Sequence, residues 1–266
     1  MFQIVQKKRL NDSMTQMRVQ APYVAKKAQA GQFIILRVNE YGERIPLTIA
    51  DYDREAGTVD IIFQKVGKTT LLLDTLEEGD SILDFIGPLG KASELEGYHY
   101  AAVIGGGAGC AIAYPQAKAL HALGAKVDMI AGFRSQDIII LEDEMKAASD
   151  QLYLMTDDGS NGHKGFVTDA LKQNIEAGAK YDLVVAIGPL PMMKAVCNLT
   201  KEYGIKTIIS MNSIMIDGTG MCGGCRVTVG GETKFACVDG PDFDGHLVDF
   251  DEVMKRAKTY AELERE

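Results

Sequence analysis

The sequence predicts an N-terminal antiparallel β-barrel, then an α/β domain on a doubly wound parallel sheet, then a small lobe organised by cysteines. Three observations predict it. Residues 1–95 are short β-type runs separated by turn residues, with no convincing helix, which is the pattern of a small barrel. From about residue 97 the rhythm changes to unbroken apolar runs alternating with helical patterns, as buried parallel strands and their crossover helices require. After Ser210 the periodicity dissolves into a Gly- and Cys-rich segment holding three of the five cysteines.

In order, the barrel strands fall at 2–5, 14–19, 33–38, 45–49, 58–63 and 81–86. The α/β strands fall at 100–104, 127–131, 152–155, 183–187 and 207–209, and the helices at 111–123, 137–148, 167–177 and 192–203. A charged helix follows at 251–264. These place the domains at 1–95, 96–210 and 211–250, with a C-terminal helix over 251–266. No internal repeat or low-complexity linker interrupts them.

Composition narrows the function classes. A hydrophobic fraction of 46% with 24% charged residues is that of a globular protein, and no apolar stretch reaches the roughly 20 residues that cross a bilayer. No membrane partner is expected. The first residues lack the charged, apolar and small order of a secretory signal, so the cytoplasm is the expected compartment. A formal net charge of −9 argues against nucleic-acid binding, which needs basic surface. Five cysteines, three of them clustered, fit a metal or cluster site in a reducing compartment better than a disulfide framework.

The order Asp217-x4-Cys222-x2-Cys225-x11-Cys237 follows the ligand spacing of a plant-type [2Fe-2S] site, with aspartate where the first cysteine would stand. Gly218, Gly220, Gly223 and Gly224 let the backbone pass close to bridging sulfides and aim N–H groups at them. The rival is a zinc site built from Cys222, Cys225, Cys237 and His246. His99, His121 and His163 show no ligand spacing, and Cys110 and Cys197 lie in apolar helical stretches where free cysteine packs.

Between the first α/β strand and its helix runs Gly105-Gly106-Gly107-Ala108-Gly109, where a pyrophosphate would meet backbone N–H groups. The G-x-G-x-x-G fingerprint fails at Cys110, so a purely structural turn stays open beside the nucleotide reading. Thr156-Asp157-Asp158-Gly159-Ser160 and Gly188-Pro189-Leu190-Pro191-Met192 end two later strands, which adds polar and turn-forming loops to the same sheet edge. Val66-Gly67-Lys68-Thr69-Thr70 looks like the tail of a P-loop, but Ile62 stands at its first glycine, which argues against an ATP loop. Arg44-Ile45-Pro46-Leu47-Thr48-Ile49 offers a cation, a rigid proline and a hydroxyl on one strand.

Taken together with Gly87-Pro88-Leu89-Gly90 and Cys237-Val238-Asp239-Gly240-Pro241, these motifs resemble, nearly end to end, the ferredoxin reductase-type electron-transfer subunits. That family includes the electron-transfer subunit of dihydroorotate dehydrogenase and the small subunit of NADH-dependent ferredoxin:NADP oxidoreductase, also known as a sulfide dehydrogenase subunit. The resemblance implies FAD held between the barrel and the NAD-binding α/β domain, with a [2Fe-2S] cluster in the third lobe. It implies flavin contacts from Arg44, Pro46, Leu47, Thr48, Ile62, Phe63, Gln64, Gly67, Thr69 and Thr70, although Ile45 displaces Arg44 by one residue from the family's Arg-Pro-x-Ser pattern. For NAD(H) it implies Gly106, Gly107, Gly109, Thr156, Asp157, Gly188 and Pro189. Ile187 precedes Gly188 where reductases of this superfamily often carry cysteine, so no thiol is assigned to the nicotinamide and no catalytic side chain is expected.

The implied metal ligands are Asp217, Cys222, Cys225 and Cys237, and aspartate in that set resembles the ferredoxin:NADP oxidoreductase branch. The implied activity is hydride exchange between NAD(H) and FAD and one-electron relay through the cluster. A larger flavin and iron–sulfur subunit and ferredoxin are the implied partners, in an electron-bifurcating complex. NADP(H) is the alternative dinucleotide, for which Arg134 offers a 2′-phosphate contact. Other readings are the dihydroorotate dehydrogenase subunit, a stand-alone NAD(P)H reductase, and a nonenzymatic zinc-stabilised binding protein.

Overall fold

The structure is a computed structural model and describes residues 1–258. Its two compact units are Met1–Ser93 with Met211–Asp242 and, of the described residues, 248–258, and Glu94–Ser210 with Phe243–Leu247.

The first unit begins with β1 (Phe2–Arg9), β2 (Met14–Gln20), α1 (Pro22–Lys27), β3 (Phe33–Arg37), β4 (Ile45–Asp53), β5 (Thr58–Gln64), α2 (Lys68–Asp74), β6 (Ser81–Ile82) and β7 (Asp84–Leu89). The strands form one antiparallel sheet in the order β6-β1-β2-β5-β4-β3-β7, a near-closed barrel. Ile4, Met17, Ile34, Ile49, Ile61 and Phe85 fill its interior with almost no exposure, each contributing roughly 1.5–3 kcal/mol by leaving water. On the other face of β5, Asp60 is buried and receives a bidentate guanidinium from Arg18 at 2.7 and 2.8 Å.

Two short helices correct the all-strand expectation for residues 1–95. At six and seven residues they span at most two turns, too few to imprint a 3.6-residue period on the sequence. The run expected at 81–86 is likewise two strands, because β6 pairs with β1 whereas β7 pairs with β3.

The second unit carries β8 (Tyr100–Gly106), α3 (Cys110–Ala122), β9 (Lys126–Phe133), α4 (Glu142–Ala147), β10 (Gln151–Thr156), α5 (Val167–Glu176), β11 (Leu183–Ile187), α6 (Leu190–Glu202) and β12 (Thr207–Ser210). These strands are parallel in the order β10-β9-β8-β11-β12. The chain reverses direction across the sheet at β8 and β11, which opens a crevice at their carboxyl ends. The helix expected at 137–148 is interrupted: Leu141 adopts a left-handed φ of 54°, which separates a 3₁₀ turn at Gln136–Ile138 from α4. Asp128, 2% exposed on β9, accepts 2.7 Å hydrogen bonds from the Tyr100 and Tyr181 hydroxyls and so ties strand starts together.

Past Ser210 come the hairpin β13 (Arg226–Val229) and β14 (Glu232–Phe235), then β15 (Asp242–Asp244), which joins the parallel sheet beside β12, and α7 (Phe250–Arg256). The charged terminal helix is present over Phe250–Arg256 and gives way to a turn at residues 257–258; the part of the expected span from 259 onward lies outside the described residues. Asp249 caps it by accepting from the Glu252 amide at 3.0 Å.

Candidate functional site

The four expected metal ligands lie in one lobe of the first unit and fall into two pairs. Cys225 and Cys237 are buried with their Sγ atoms 3.2 Å apart. Two sulfurs on one tetrahedral centre with bonds of about 2.3 Å lie about 3.8 Å apart, so this pair is close to the spacing of donors to a single ion. Asp217 forms the other pair with Cys222, its Oδ2 accepting from the Cys222 amide at 2.7 Å while Oδ1 accepts from Thr219 at 2.9 Å. Those amides, Thr219 first, hold the Asp217 carboxyl below the ordinary carboxylate value. It is therefore an anion at neutral pH, as a ligand must be. Among the described residues no three His, Cys, Asp or Glu side chains converge as the ligands of one ion would. A two-plus-two division of donors fits a two-iron cluster, one pair per iron.

The loop between the pairs has the conformation that wrapping requires. Gly218, Gly220 and Gly223 have φ values of 74°, 86° and 67°, which L side chains rarely adopt. Gly224 donates its amide to Cys222 Sγ at 3.4 Å, the N–H to sulfur contact expected around a cluster. His246, the rival zinc ligand, places Nε2 3.0 Å from the Thr200 hydroxyl. Neither Arg226 nor Arg256 was expected at this site, yet Arg226 Nη1 donates to the Gly223 carbonyl and Arg256 Nη2 to the Gly224 carbonyl, each at 3.2 Å. Arg226 adjoins Cys225 in sequence, a signal that was available; Arg256 lies thirty-two residues from its acceptor and had none.

Gly218 also seats the loop on the barrel. A Cβ there would lie 2.7 Å from Leu89 Cδ1 and 2.9 Å from Ile35 Cγ1, so only glycine allows this approach. Ile35 on β3 pairs directly with Pro46 on β4. Pro46, Leu47 and Thr48 are half-buried on β4, and on β5 Ile62, Phe63 and Gln64 follow the last β4–β5 pair, Ile49↔Ile61, with the Phe63 side chain buried in the barrel core. Arg44 is exposed and makes no hydrogen bond or ion pair among the described residues, leaving a guanidinium free for a phosphate. Thr69 is buried, and the Thr70 hydroxyl accepts from the Val66 and Gly67 amides at 3.1 Å, so Thr70 closes its own turn. An open half-buried strand face with a free cation fits a flavin diphosphate.

In the second unit, the glycines after β8 divide by purpose. A Cβ on Gly109 would meet the Ile187 carbonyl oxygen at 2.4 Å, so glycine is required there by packing against backbone after β11, whereas one on Gly106 would meet the Met192 side chain on α6, its Sδ at 2.4 Å. Gly188 completes that contact, its Cβ position lying 3.1 Å from Gly106 Cα, and Pro189 then caps α6. Gly107 differs: φ is 55° and nothing lies within 4 Å of its Cβ position, leaving open backbone at the crevice. Thr156 is buried with its hydroxyl committed to Asn161 at 2.7 Å, whereas Asp157 and Arg134 remain exposed. Cys110 and Cys197 are buried, and burial raises both thiols, Cys197 to about 12.

A near-closed antiparallel barrel joined in sequence to a doubly wound nucleotide-type sheet and a cysteine lobe defines a ferredoxin reductase-like electron-transfer protein. The profile of the iron–sulfur cluster binding domain of dihydroorotate dehydrogenase B matches residues 212–249, and that of the oxidoreductase NAD-binding domain matches 103–198. A dihydroorotate dehydrogenase B electron transfer subunit homolog of Thermotoga maritima is 47% identical, covering 99% of this chain and 93% of its own length. The electron transfer subunit of Fusobacterium nucleatum is 34% identical over 85% of this chain and 88% of its own. Among solved structures, a chain of an NADH-dependent reduced ferredoxin-NADP oxidoreductase superposes with a TM-score of 0.94 at 46% identity, covering 99% of this chain and 95% of that one. The ferredoxin reductase of a carbazole 1,9a-dioxygenase shares the fold, with a TM-score of 0.64 at 17% identity over 77% of this chain and 64% of its own. The chain belongs to the family of dihydroorotate dehydrogenase B electron-transfer subunits and their homologues.

Proposed function

We propose that this chain is the electron-transfer subunit of an electron-bifurcating NADH-dependent ferredoxin:NADP oxidoreductase, with FAD, NAD(H) and a [2Fe-2S] cluster as its cofactors. The observation that carries it is Gly218 packed on Ile35, because Ile35 is the sheet neighbour of Pro46. Adjacent strands lie about 4.8 Å apart, so the cluster loop rests one strand away from the expected flavin strand. A flavin held there would supply two-electron hydride acceptance coupled to one-electron release.

The chain's own residues bind and orient. Pro46, Leu47 and Thr48 with Ile62, Phe63 and Gln64 line the flavin, and Arg44 pairs with its phosphate. Gly107 offers backbone to the dinucleotide, Asp157 a carboxylate for a ribose hydroxyl, and Arg134 a cation. Asp217, Cys222, Cys225 and Cys237 would hold the cluster. No side chain has to move a proton for hydride transfer. The branch with ferredoxin and NADP as substrates is supported by the 46% identity to a chain of that enzyme and by Asp217 in the ligand set. The partner is a larger flavin and iron–sulfur subunit, ferredoxin is the acceptor of the complex, and the compartment is the cytoplasm. Among the described residues no helix is long and apolar enough to cross a membrane.

Anaerobic affinity purification from the native host, followed by identification of the co-purifying subunit and assays with NADH, NADPH and ferredoxin, tests this reading. A partner carrying a pyrimidine-synthesis flavin barrel, full ferredoxin turnover by the isolated chain, or a colourless zinc protein would each overturn it. Separate NADH and NADPH titrations, followed by flavin bleaching, decide the dinucleotide.

A further inference from the structure

Two guanidinium groups grip consecutive peptide units of the loop between Cys222 and Cys225. Arg226 Nη1 donates to the Gly223 carbonyl and Arg256 Nη2 to the Gly224 carbonyl, both at 3.2 Å. The peptide whose carbonyl Arg226 holds is the one whose N–H, that of Gly224, points at Cys222 Sγ at 3.4 Å. A cation at one end of a peptide unit polarises it and strengthens the donor at the other end. Among the described residues neither arginine forms an ion pair with a carboxylate, and each guanidinium is held to the loop by its carbonyl contact.

Adding an electron to a cluster adds a negative charge, and nearby cations and N–H to sulfur bonds stabilise the reduced form. We infer that Arg226 and Arg256 are positioning residues that orient the Gly223 and Gly224 peptides toward the cluster sulfurs and raise its reduction potential. This rests on the reading of Asp217, Cys222, Cys225 and Cys237 as the ligands.

The test compares wild type, Arg226→Gln, Arg226→Lys and Arg256→Gln, purified anaerobically as the full chain, by iron and acid-labile sulfide content, EPR of the reduced protein and redox titration. The glutamine variants are expected to keep the cluster but shift its reduction equilibrium toward the oxidised form by roughly threefold to tenfold each, the upper limit equal to about 59 mV for one electron. Arg226→Lys, which keeps the charge, should stay near wild type. Raising the ionic strength should shrink the difference between wild type and glutamine variants, since exposed charges are screened. Full iron content with an unchanged potential in both glutamine variants would overturn the inference. So would an Arg226→Lys potential as low as that of Arg226→Gln, which would tie the effect to fit and not to charge. Should Arg226→Gln lose the cluster, Arg256→Gln and Arg226→Lys still decide by the same potentials. A wild-type chain with no [2Fe-2S] signal fails at the ligand reading itself and removes the inference with it.

Discussion

Cys225 Sγ and Cys237 Sγ lie 3.2 Å apart although eleven residues of chain separate them. The β13–β14 hairpin folds that intervening segment back on itself and returns Cys237 to Cys225. A disulfide would bring the sulfurs to about 2.05 Å, and both thiols are free. Burial first, and Cys225 second, push the Cys237 thiol up to about 12, so a metal-free lobe holds it protonated. A bound metal reverses that, because a coordinating thiol is deprotonated outright.

Replacing either member of that pair by serine should therefore abolish the cluster while leaving the barrel folded. The expected result for Cys225→Ser or Cys237→Ser is loss of acid-labile sulfide and of the EPR signal, with flavin retained at its wild-type ratio. Retention of a full [2Fe-2S] signal in both variants would remove the pair from the ligand set.

Asp217 both anchors the loop amides of Thr219 and Cys222 and supplies an anionic oxygen, and the two roles separate on mutation. Asp217→Cys should retain a [2Fe-2S] cluster with a moved potential, since ligand identity tunes it. Asp217→Ala should weaken assembly or leave that position to water. An EPR spectrum and potential unchanged in both variants would show that the carboxylate anchors the loop without touching iron.

The glycines after β8 give a paired prediction. Gly109→Ala forces a Cβ to 2.4 Å from the Ile187 carbonyl and should destabilise the α/β unit by several kcal/mol, read as a lower denaturation midpoint with loss of NADH binding. Gly107→Ala meets no atom within 4 Å and should cost only about 1–2 kcal/mol for its φ of 55°. Its larger effect should fall on KM for NADH. An unchanged KM would mean that Gly107 does not face the dinucleotide.

Asp74 predicts an acid limit for the barrel. Burial pushes its carboxyl up, but the Thr15 hydroxyl at 2.5 Å, Lys65 and Lys7 outweigh burial, so the folded value lies below the ordinary one. The stabilisation is thus fully present above the unfolded value of about 3.9 and is lost as pH falls through the depressed folded value. Urea midpoints measured between pH 6 and pH 2.5 should fall more steeply for wild type than for Asp74→Asn. At pH 6 the variant should be less stable by roughly 1–3 kcal/mol. Equal slopes would show that Asp74 adds nothing to acid sensitivity.

Strand positions were the most legible part of the fold. Each run from 100–104 to 207–209 became a parallel strand, because strands covered on both faces are mostly apolar, the buried Asp128 on β9 being satisfied by two tyrosine hydroxyls. The helices α1 and α2 were hidden because a turn or two leaves no period, and the break at Leu141 because a left-handed leucine has no local signature. At the site, ligand types and spacing named Asp217, Cys222, Cys225 and Cys237, since loop wrapping is a local constraint written in consecutive residues.

The sequence by itself determined the order of barrel, parallel sheet and cysteine lobe, and proposed the donor set, because periodicity and ligand spacing act over a few residues. Only the tertiary structure decided that Cys225 meets Cys237, that Gly109 serves packing while Gly107 stays open, and that Arg256 reaches Gly224. It also seated Gly218 on Ile35 beside Pro46, joining segments remote in the chain. The physical reason is range: such contacts depend on how separate strands and loops are brought within a few ångströms, and no short stretch of residues encodes that distance.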